Sequence, residues 1–369
     1  RYGLFILLGL AWCSLLSASE RLIPIQPGSI IRESLPTGKH PMVTKPGFQS
    51  YISQPDPTAG LAALEREHRF GLPRSALQSR TLRILALRIE FQPDCESSSS
   101  GTGLFDLRDT LQFLNEEGHE FDRAPHDRLF FERHLEALAQ YYHCVSNGKL
   151  TLQSTVYPRH LNGAYRMNRP MAYYGQNGPF DSWNESLGEL VYDAVQLADT
   201  TSPEINFAEY DVIILFHAGS DWQSDQSGLR NSPDDLPSAN IFMAAPYIPV
   251  DSGTHSIKSV MLIPETTSQD GRVGVINGVL AHEFGHQLGF IDLYSTTDFR
   301  TVVGNFSLMD AGNLLAVEIG DKIVHGVLPC YPDAFHRAFA GFDTPIRLTE
   351  PAASIPLTAA EVLDRKSVV

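Results

Sequence analysis

The stretch AHEFGHQLGFIDLY, Ala281 to Tyr294, sets two histidines four positions apart, a glutamate directly after the first, then a glycine and an aspartate at further three-residue steps. Four residues are about one helical turn, so on a helix His282 and His286 point the same way and both imidazoles reach one ion. Neutral imidazoles on a rigid helical face are good zinc ligands. Glu283, beside the first ligand, aims at a water on the metal and not at the metal. Gly289 accepts positive φ without cost, which suits a sharp exit from the helix beneath the ion. Asp292 then returns as the third ligand and leaves one coordination position open, as a catalytic site needs; a structural site would close it, usually with cysteine, and no cysteine lies near. Zinc lowers the pKa of its bound water toward about 7, and Glu283 takes the proton as that water attacks a polarised carbonyl, then hands it to the leaving amine. With an aspartate as third ligand, part of the metal charge is cancelled, so the water is less acidic than under three histidines and more rests on Glu283.

A helix must carry this pattern, and Ile276, Leu280, Phe284 and Leu288, at steps of four, provide the stripe that packs it against a sheet. TLRILALRIEF reads as a buried strand opening the folded domain, and KLTLQSTV, DVIILFH and SVMLIP as further strands. DRLFFERHLEALAQYYHC places Phe131, Leu135, Leu138 and Tyr142 at helical spacing and stops at Asn147-Gly148, while SLGELVYDAVQLAD is a second amphipathic helix. Mixed helices and strands without strict alternation predict an α+β fold. His134, His143 and His217 have no partner at metal spacing and are read as ordinary histidines.

The chain has 369 residues, 43% of them hydrophobic, enough for one large domain or two smaller ones with a sizeable core. A net charge of −15 gives no general attraction to nucleic acid or anionic lipid. RYGLFILLGLAWCSLLSASE joins a basic start, an apolar run and small residues, so residues 1–18 are expected to be a secretory signal peptide; the run is too short for a membrane span. The first residue is Arg1 and not methionine, and we expect the gene product to extend ahead of it. Residues 19–80, rich in proline and breaks, are expected to be a propeptide, with a flexible linker as the alternative. That leading segment has no cysteine to cap a metal, which leaves Asp56 or another carboxylate for latency. Outside the signal, Cys95, Cys144 and Cys330 permit one disulfide, Cys95 with Cys144 by proximity in sequence, or three buried thiols.

Together, AHEFGHQLGFIDLY and VVGNFSLMDAG resemble the immune inhibitor A type of secreted bacterial zinc metallopeptidases, relatives of the metzincins. TLRILALRIEFQPD is similar to that family's first strand, LAQYYHCVSNGKLTL to a helix with its YY-x-x-x-S-x-G-K ending, and YPDAFHRAFAGF to the helix after the active site, so the resemblance spans about Leu82 to Phe342. It implies a zincin-like catalytic domain over residues 81–345 with a mixed twisted sheet, an active-site helix and a methionine turn in which Met309 floors the metal. By the same match, residues 346–369 begin a truncated β-rich region. Phe290-Ile291 stands where Leu-Pro is common in the family; if Asp292 misses the metal, Asp310 and Glu318 are the next carboxylates. Tyr294 either packs or stabilises an oxyanion. Family members often bind calcium, and SDWQSDQSG supplies carboxylates in a loop. The expectation is a secreted zinc endopeptidase acting on protein or peptide substrates, with two rivals: a catalytically silent surface or adhesion protein keeping the fold, and a hydrolase for a single self-encoded partner. Oligomeric state is not legible.

Overall fold

A computed structural model describes residues 50–52, 80–94, 97–176, 183–225, 231–243, 246–295 and 299–343. The expected signal peptide, the helical pattern LAALEREHRF, Asp56, Cys95 and the C-terminal β-rich region lie outside the described residues.

The chain runs through strands β1 (Ser50–Ile52) and β2 (Arg80–Glu90), helices α1 (Thr110–Glu117) and α2 (Arg128–Val145), and strands β3 (Leu150–Tyr157) and β4 (Tyr165–Arg166). Helices α3 (Met171–Gly175) and α4 (Trp183–Thr201) follow, then β5 (Val212–His217), β6 (Ala239–Met243), β7 (Ile248–Val250), β8 (His255–Ile257), β9 (Ser259–Pro264) and β10 (Val273–Gly274). Helix α5 (Asn277–Gln287), strands β11 (Ala316–Ile319) and β12 (Lys322–His325) and helix α6 (Ala334–Phe339) complete the described chain. This is the mixed α+β architecture expected.

Its centre is a seven-stranded sheet in the order β1-β6-β9-β5-β2-β3, with β4 also on β2. Strands β2, β3, β4, β5 and β9 pair in parallel, whereas β6 runs antiparallel to β9, and β1 antiparallel to β6. Strand β5 is buried at every residue and β2 from Ile84 onward, which is why their sequences read as continuous apolar runs and not as alternation. Strand β1, from the leading stretch, adds to the edge of β6 through Ser50, Tyr51 and Ile52 opposite Met243, Phe242 and Ile241.

Helix α2 lies on β3 and also against α5, which itself packs on β6 and β9. Phe131, Leu135, Leu138 and Tyr142 of α2 are all buried, as their spacing implied, and Asp127 caps the helix by accepting from the Leu129 and Phe130 N–H groups. His134 of α2 reaches Asn277 Oδ1 at 2.7 Å and ties the two helices together at the start of α5. His143 is exposed, and His217 is buried at the end of β5. Among the described residues no helix is long and apolar enough to cross a membrane.

Where β9 ends, Glu265 gathers three separate segments. Its Oε2 accepts from the Asp106 N–H at 2.9 Å and from His126 Nδ1 at 2.8 Å, and its Oε1 accepts from the Gly219 N–H at 2.7 Å. Burial opposes a charge on His126, but the Glu265 carboxylate overrides it and lifts the imidazole to about 9. That value lies above the ordinary histidine range, so the pair stabilises the fold fully below about pH 6.5 and loses its contribution as pH rises through the folded value. Thermal midpoints followed by circular dichroism should therefore fall more steeply from neutral pH to about pH 9.5 in the unsubstituted protein than in His126→Gln. Parallel curves would show that the pair carries no such stability.

Candidate metal centre

Helix α5 is buried on every side, with Ile276, Leu280, Phe284 and Leu288 inaccessible. The stripe is where the sequence put it, but the remaining face is not solvated: it is covered by α2 and by the chain after the helix. Tyr142 of α2 donates its hydroxyl to the Ala281 carbonyl at 2.7 Å and sets its ring 4.7 Å from that of Phe284. Gln287 donates to Asn240 Oδ1 of β6 at 2.6 Å. Gly285 has no room for a side chain, since a Cβ there would stand 2.8 Å from Met309 Sδ. Its absence lets Met309, itself fully buried, lie directly against the helix.

On this helix the imidazoles of His282 and His286 stand 5.0 Å apart and nearly perpendicular. Each Nδ1 faces a main-chain carbonyl at 2.9 Å, Leu308 for His282 and Phe290 for His286. A carbonyl only accepts, so Nδ1 carries the proton and Nε2 is left as the ligand atom in both neutral rings. The ligand atoms of His282, Glu283 and His286 all lie within 4.8 Å of one another, and among the described residues no other group of histidines, cysteines or carboxylates gathers in this way.

Asp292 joins from beyond the helix. Its Oδ1 lies 3.2 Å from Nε2 of His282 and 3.4 Å from Nε2 of His286, with the side chain 5% exposed. With both Nε2 atoms unprotonated, that oxygen is buried without a hydrogen-bond donor. A buried carboxylate oxygen left without a donor, facing two imidazole nitrogens, fits a cation between them, because burying an unpaired acceptor is otherwise costly. Burial alone would raise the Asp292 carboxyl; with no ion between them, the His286 and His282 imidazoles take up protons and hold it well below the usual range.

The route from helix to Asp292 follows the expected glycine turn. Gly289 has φ +84°, its N–H donates to the His286 carbonyl at 3.0 Å, and the Phe290 N–H donates to Gly285 at 3.0 Å. Phe290 is buried with its ring 4.8 Å from that of His336. His336 Nε2 accepts the Ile291 N–H at 3.1 Å while its Nδ1 donates to Asp333 at 2.6 Å. Phe290-Ile291 thus reaches Asp292 by a path that helix α6 holds in place.

Glu283 is buried, 6% exposed, and burial pushes its carboxyl up against the opposing pull of the two imidazoles. Tyr294 stacks at 6.3 Å on His282 and at 6.1 Å on Phe299; burial, then the Asp292 and Glu283 carboxylates, keep its hydroxyl protonated. Asp310 is not among the gathered ligands. Its Oδ2 accepts the N–H groups of Val302, Val303 and Gly304, and its Oδ1 that of Ala311. Glu318 is exposed on β11. The loop read as a calcium candidate is only partly described; in it Asp221 accepts from Ser224 and Ser238, and Asp225 from Ser232, so calcium has no support there.

Residues 252–341 match the profile described as the immune inhibitor A peptidase M6 catalytic domain. The chain is also 27% identical, over 266 residues, to the protein named pre-pro-metalloprotease PrtV from two strains of Vibrio cholerae serotype O1, M66-2 and ATCC 39315 / El Tor Inaba N16961. That alignment takes in 64% of this chain and 28% of the relatives, so the chain spans well under half of their length. The resemblance to immune inhibitor A-type metallopeptidases carried by the motif is borne out, and the matched segment contains α5, Asp292 and Met309.

His336 secures the approach of Asp292, so on the reading that Asp292 helps to hold a metal ion, His336→Ala should weaken zinc binding by about 10- to 100-fold, the range for groups that orient a ligand. Competition titration against a chromophoric chelator measures this; unchanged affinity would mean that the path to Asp292 stands without α6.

Proposed function

We propose that this chain is the catalytic part of a secreted zinc endopeptidase of zincin-like fold, cleaving protein or peptide substrates. The observation that supports it best is the convergence of His282 Nε2, His286 Nε2 and the donorless Asp292 Oδ1 beside the buried Glu283. In this reading His282, His286 and Asp292 hold the ion, Met309 forms the apolar floor of a methionine turn, and residues 19–80 act as a propeptide. Zinc bound there supplies Lewis acidity, which polarises a peptide carbonyl and makes water more acidic.

The chain's own residues do the rest. Glu283, with its carboxyl raised by burial, accepts a proton from the attacking water and passes it to the departing amine. The carbonyls of Leu308 and Phe290 keep the Nδ1 protons in place, so the imidazoles stay oriented while the proton moves through Glu283 alone. The buried surroundings of α5 exclude bulk water from the carboxylate, which strengthens each of these interactions. Tyr294, stacked on His282, steadies that ring.

Glu283→Gln should retain one zinc per chain yet lose casein cleavage by about 100-fold or more, the scale of general acid–base catalysis. A chelator should abolish the cleavage, and added zinc restore it. Metal analysis combined with casein digestion tests both, and proteolysis untouched by Glu283→Gln would refute the assignment; zinc binding with no cleavage by the unsubstituted chain would favour the silent-fold rival.

A further inference from the structure

The segment Tyr141 to Lys149 carries the YY-x-x-x-S-x-G-K pattern, and its polar groups reach three places around the metal cluster. Tyr142 donates to the Ala281 carbonyl within α5, and Tyr141 donates at 2.6 Å to the Cys330 carbonyl, on the stretch that leads into α6. Past the end of α2, Asn147 and Gly148 adopt φ of +56° and +74°, and Ser146 Oγ accepts the Leu150 N–H at 2.9 Å, so the chain reverses into β3 within a few residues.

That reversal aims two side chains at the exit of α6. Lys149 Nζ donates to the Gly341 and Phe342 carbonyls, both at 2.8 Å, and Asn147 Nδ2 donates to the Phe342 carbonyl at 3.3 Å and to Asp343 Oδ1 at 3.0 Å. Asp343 also accepts from Arg337 Nε at 2.6 Å, and the Phe342 N–H donates to the Arg337 carbonyl at 2.8 Å, which folds the exit back against the helix. Carbonyls at a helix exit have no partner within the helix, and an ammonium that takes two of them makes charge-assisted bonds, stronger than neutral ones.

The end of α6 in turn packs on the stretch between His286 and Asp292. Phe342 is buried with its ring 6.3 Å from that of Phe290, while His336 stands 4.8 Å from the same ring and accepts the Ile291 N–H at 3.1 Å. The Phe290 carbonyl faces His286 Nδ1, and Asp292 follows Ile291 directly. Contacts thus run without a gap from the Lys149 ammonium to the carbonyl that orients one imidazole and to the backbone that delivers the carboxylate.

We propose that Lys149 is a positioning residue for the metal centre: together with Asn147 it clamps the exit of α6, so that Phe342 and His336 hold Phe290 and Ile291 where His286 and Asp292 converge. The proposal rests on the metallopeptidase reading for the ion, and on the hydrogen bonds alone for the clamp.

Hydrogen–deuterium exchange on the metal-free full chain and zinc affinity by chelator competition test it together. In Lys149→Met, residues 289–292 should exchange faster and zinc should bind more weakly by about threefold or more, the scale of coupling through packed contacts; Lys149→Arg should recover part of both. Asn147→Gly, which keeps the left-handed backbone and removes the amide, should act in the same direction. Arg108→Met breaks ion pairs with Asp106 and Glu116 that involve neither α6 nor the ligand turn, and should lower the thermal midpoint without moving either readout. Unchanged exchange in both Lys149→Met and Asn147→Gly would overturn the proposal. So would zinc losses as large in Arg108→Met as in Lys149→Met, the sign of general destabilisation, or faster exchange with unaltered zinc affinity while Asp292→Asn loses zinc. If Asp292→Asn binds zinc as the unsubstituted chain does, the reading of Asp292 as a ligand fails first, and the positioning role falls with it.

Discussion

The carbonyls of Leu308 and Phe290, each 2.9 Å from an imidazole Nδ1, decide what α5 is able to do. With those protons anchored, both Nε2 atoms turn inward to the same point, and Asp292 Oδ1 meets them there without a donor of its own. Everything that shapes this part of the molecule bears on keeping the two carbonyls and the carboxylate in register. Gly289 makes the turn that brings the Phe290 carbonyl back over the helix end, Gly285 admits Met309 and so seats Leu308, and His336 braces the step to Asp292.

The surrounding fold explains why such an arrangement stays rigid. Helix α5 has no exposed face, and it is fastened at its start by His134 to Asn277, in its middle by Tyr142, and at its end by Gln287 to Asn240. These ties hold the helix against its neighbours, and a buried polar group left unsatisfied is costly. The oxygen of Asp292, facing two imidazole nitrogens, is an acceptor suited to a cation, and the raised carboxyl of Glu283 a group suited to moving a proton.

Much of this was legible in the sequence because it is local. The four-residue spacing of His282 and His286, the stripe from Ile276 to Leu288, and the apolar runs of β2, β5 and β9 depend on periodicities that neighbours in the chain enforce. Asp292 was legible for the same reason, through the glycine turn that precedes it. What escaped depends on partners far away in sequence. The bond from His336 to the Ile291 N–H, the hydroxyl of Tyr142 on Ala281 and the cradle that Asp310 makes for residues 302–304 have no periodic signal. Asp310 in particular read as a spare ligand, since a carboxylate near a metal motif looks alike whether it will face an ion or three amides. Strand β6 and its pairing with β1 were likewise unread, as short segments of mixed character do not distinguish an edge strand from a loop.

The central claim is that two imidazoles and the Asp292 carboxylate hold one ion while Glu283 stays off it. X-ray absorption on the zinc-loaded chain addresses it most directly: the account predicts two imidazole nitrogens and light oxygen ligands at about 2.0–2.2 Å, a pattern kept in Glu283→Gln and altered in Asp292→Asn. A spectrum with a single imidazole, or one that loses a ligand on Glu283→Gln and ignores Asp292→Asn, would contradict it.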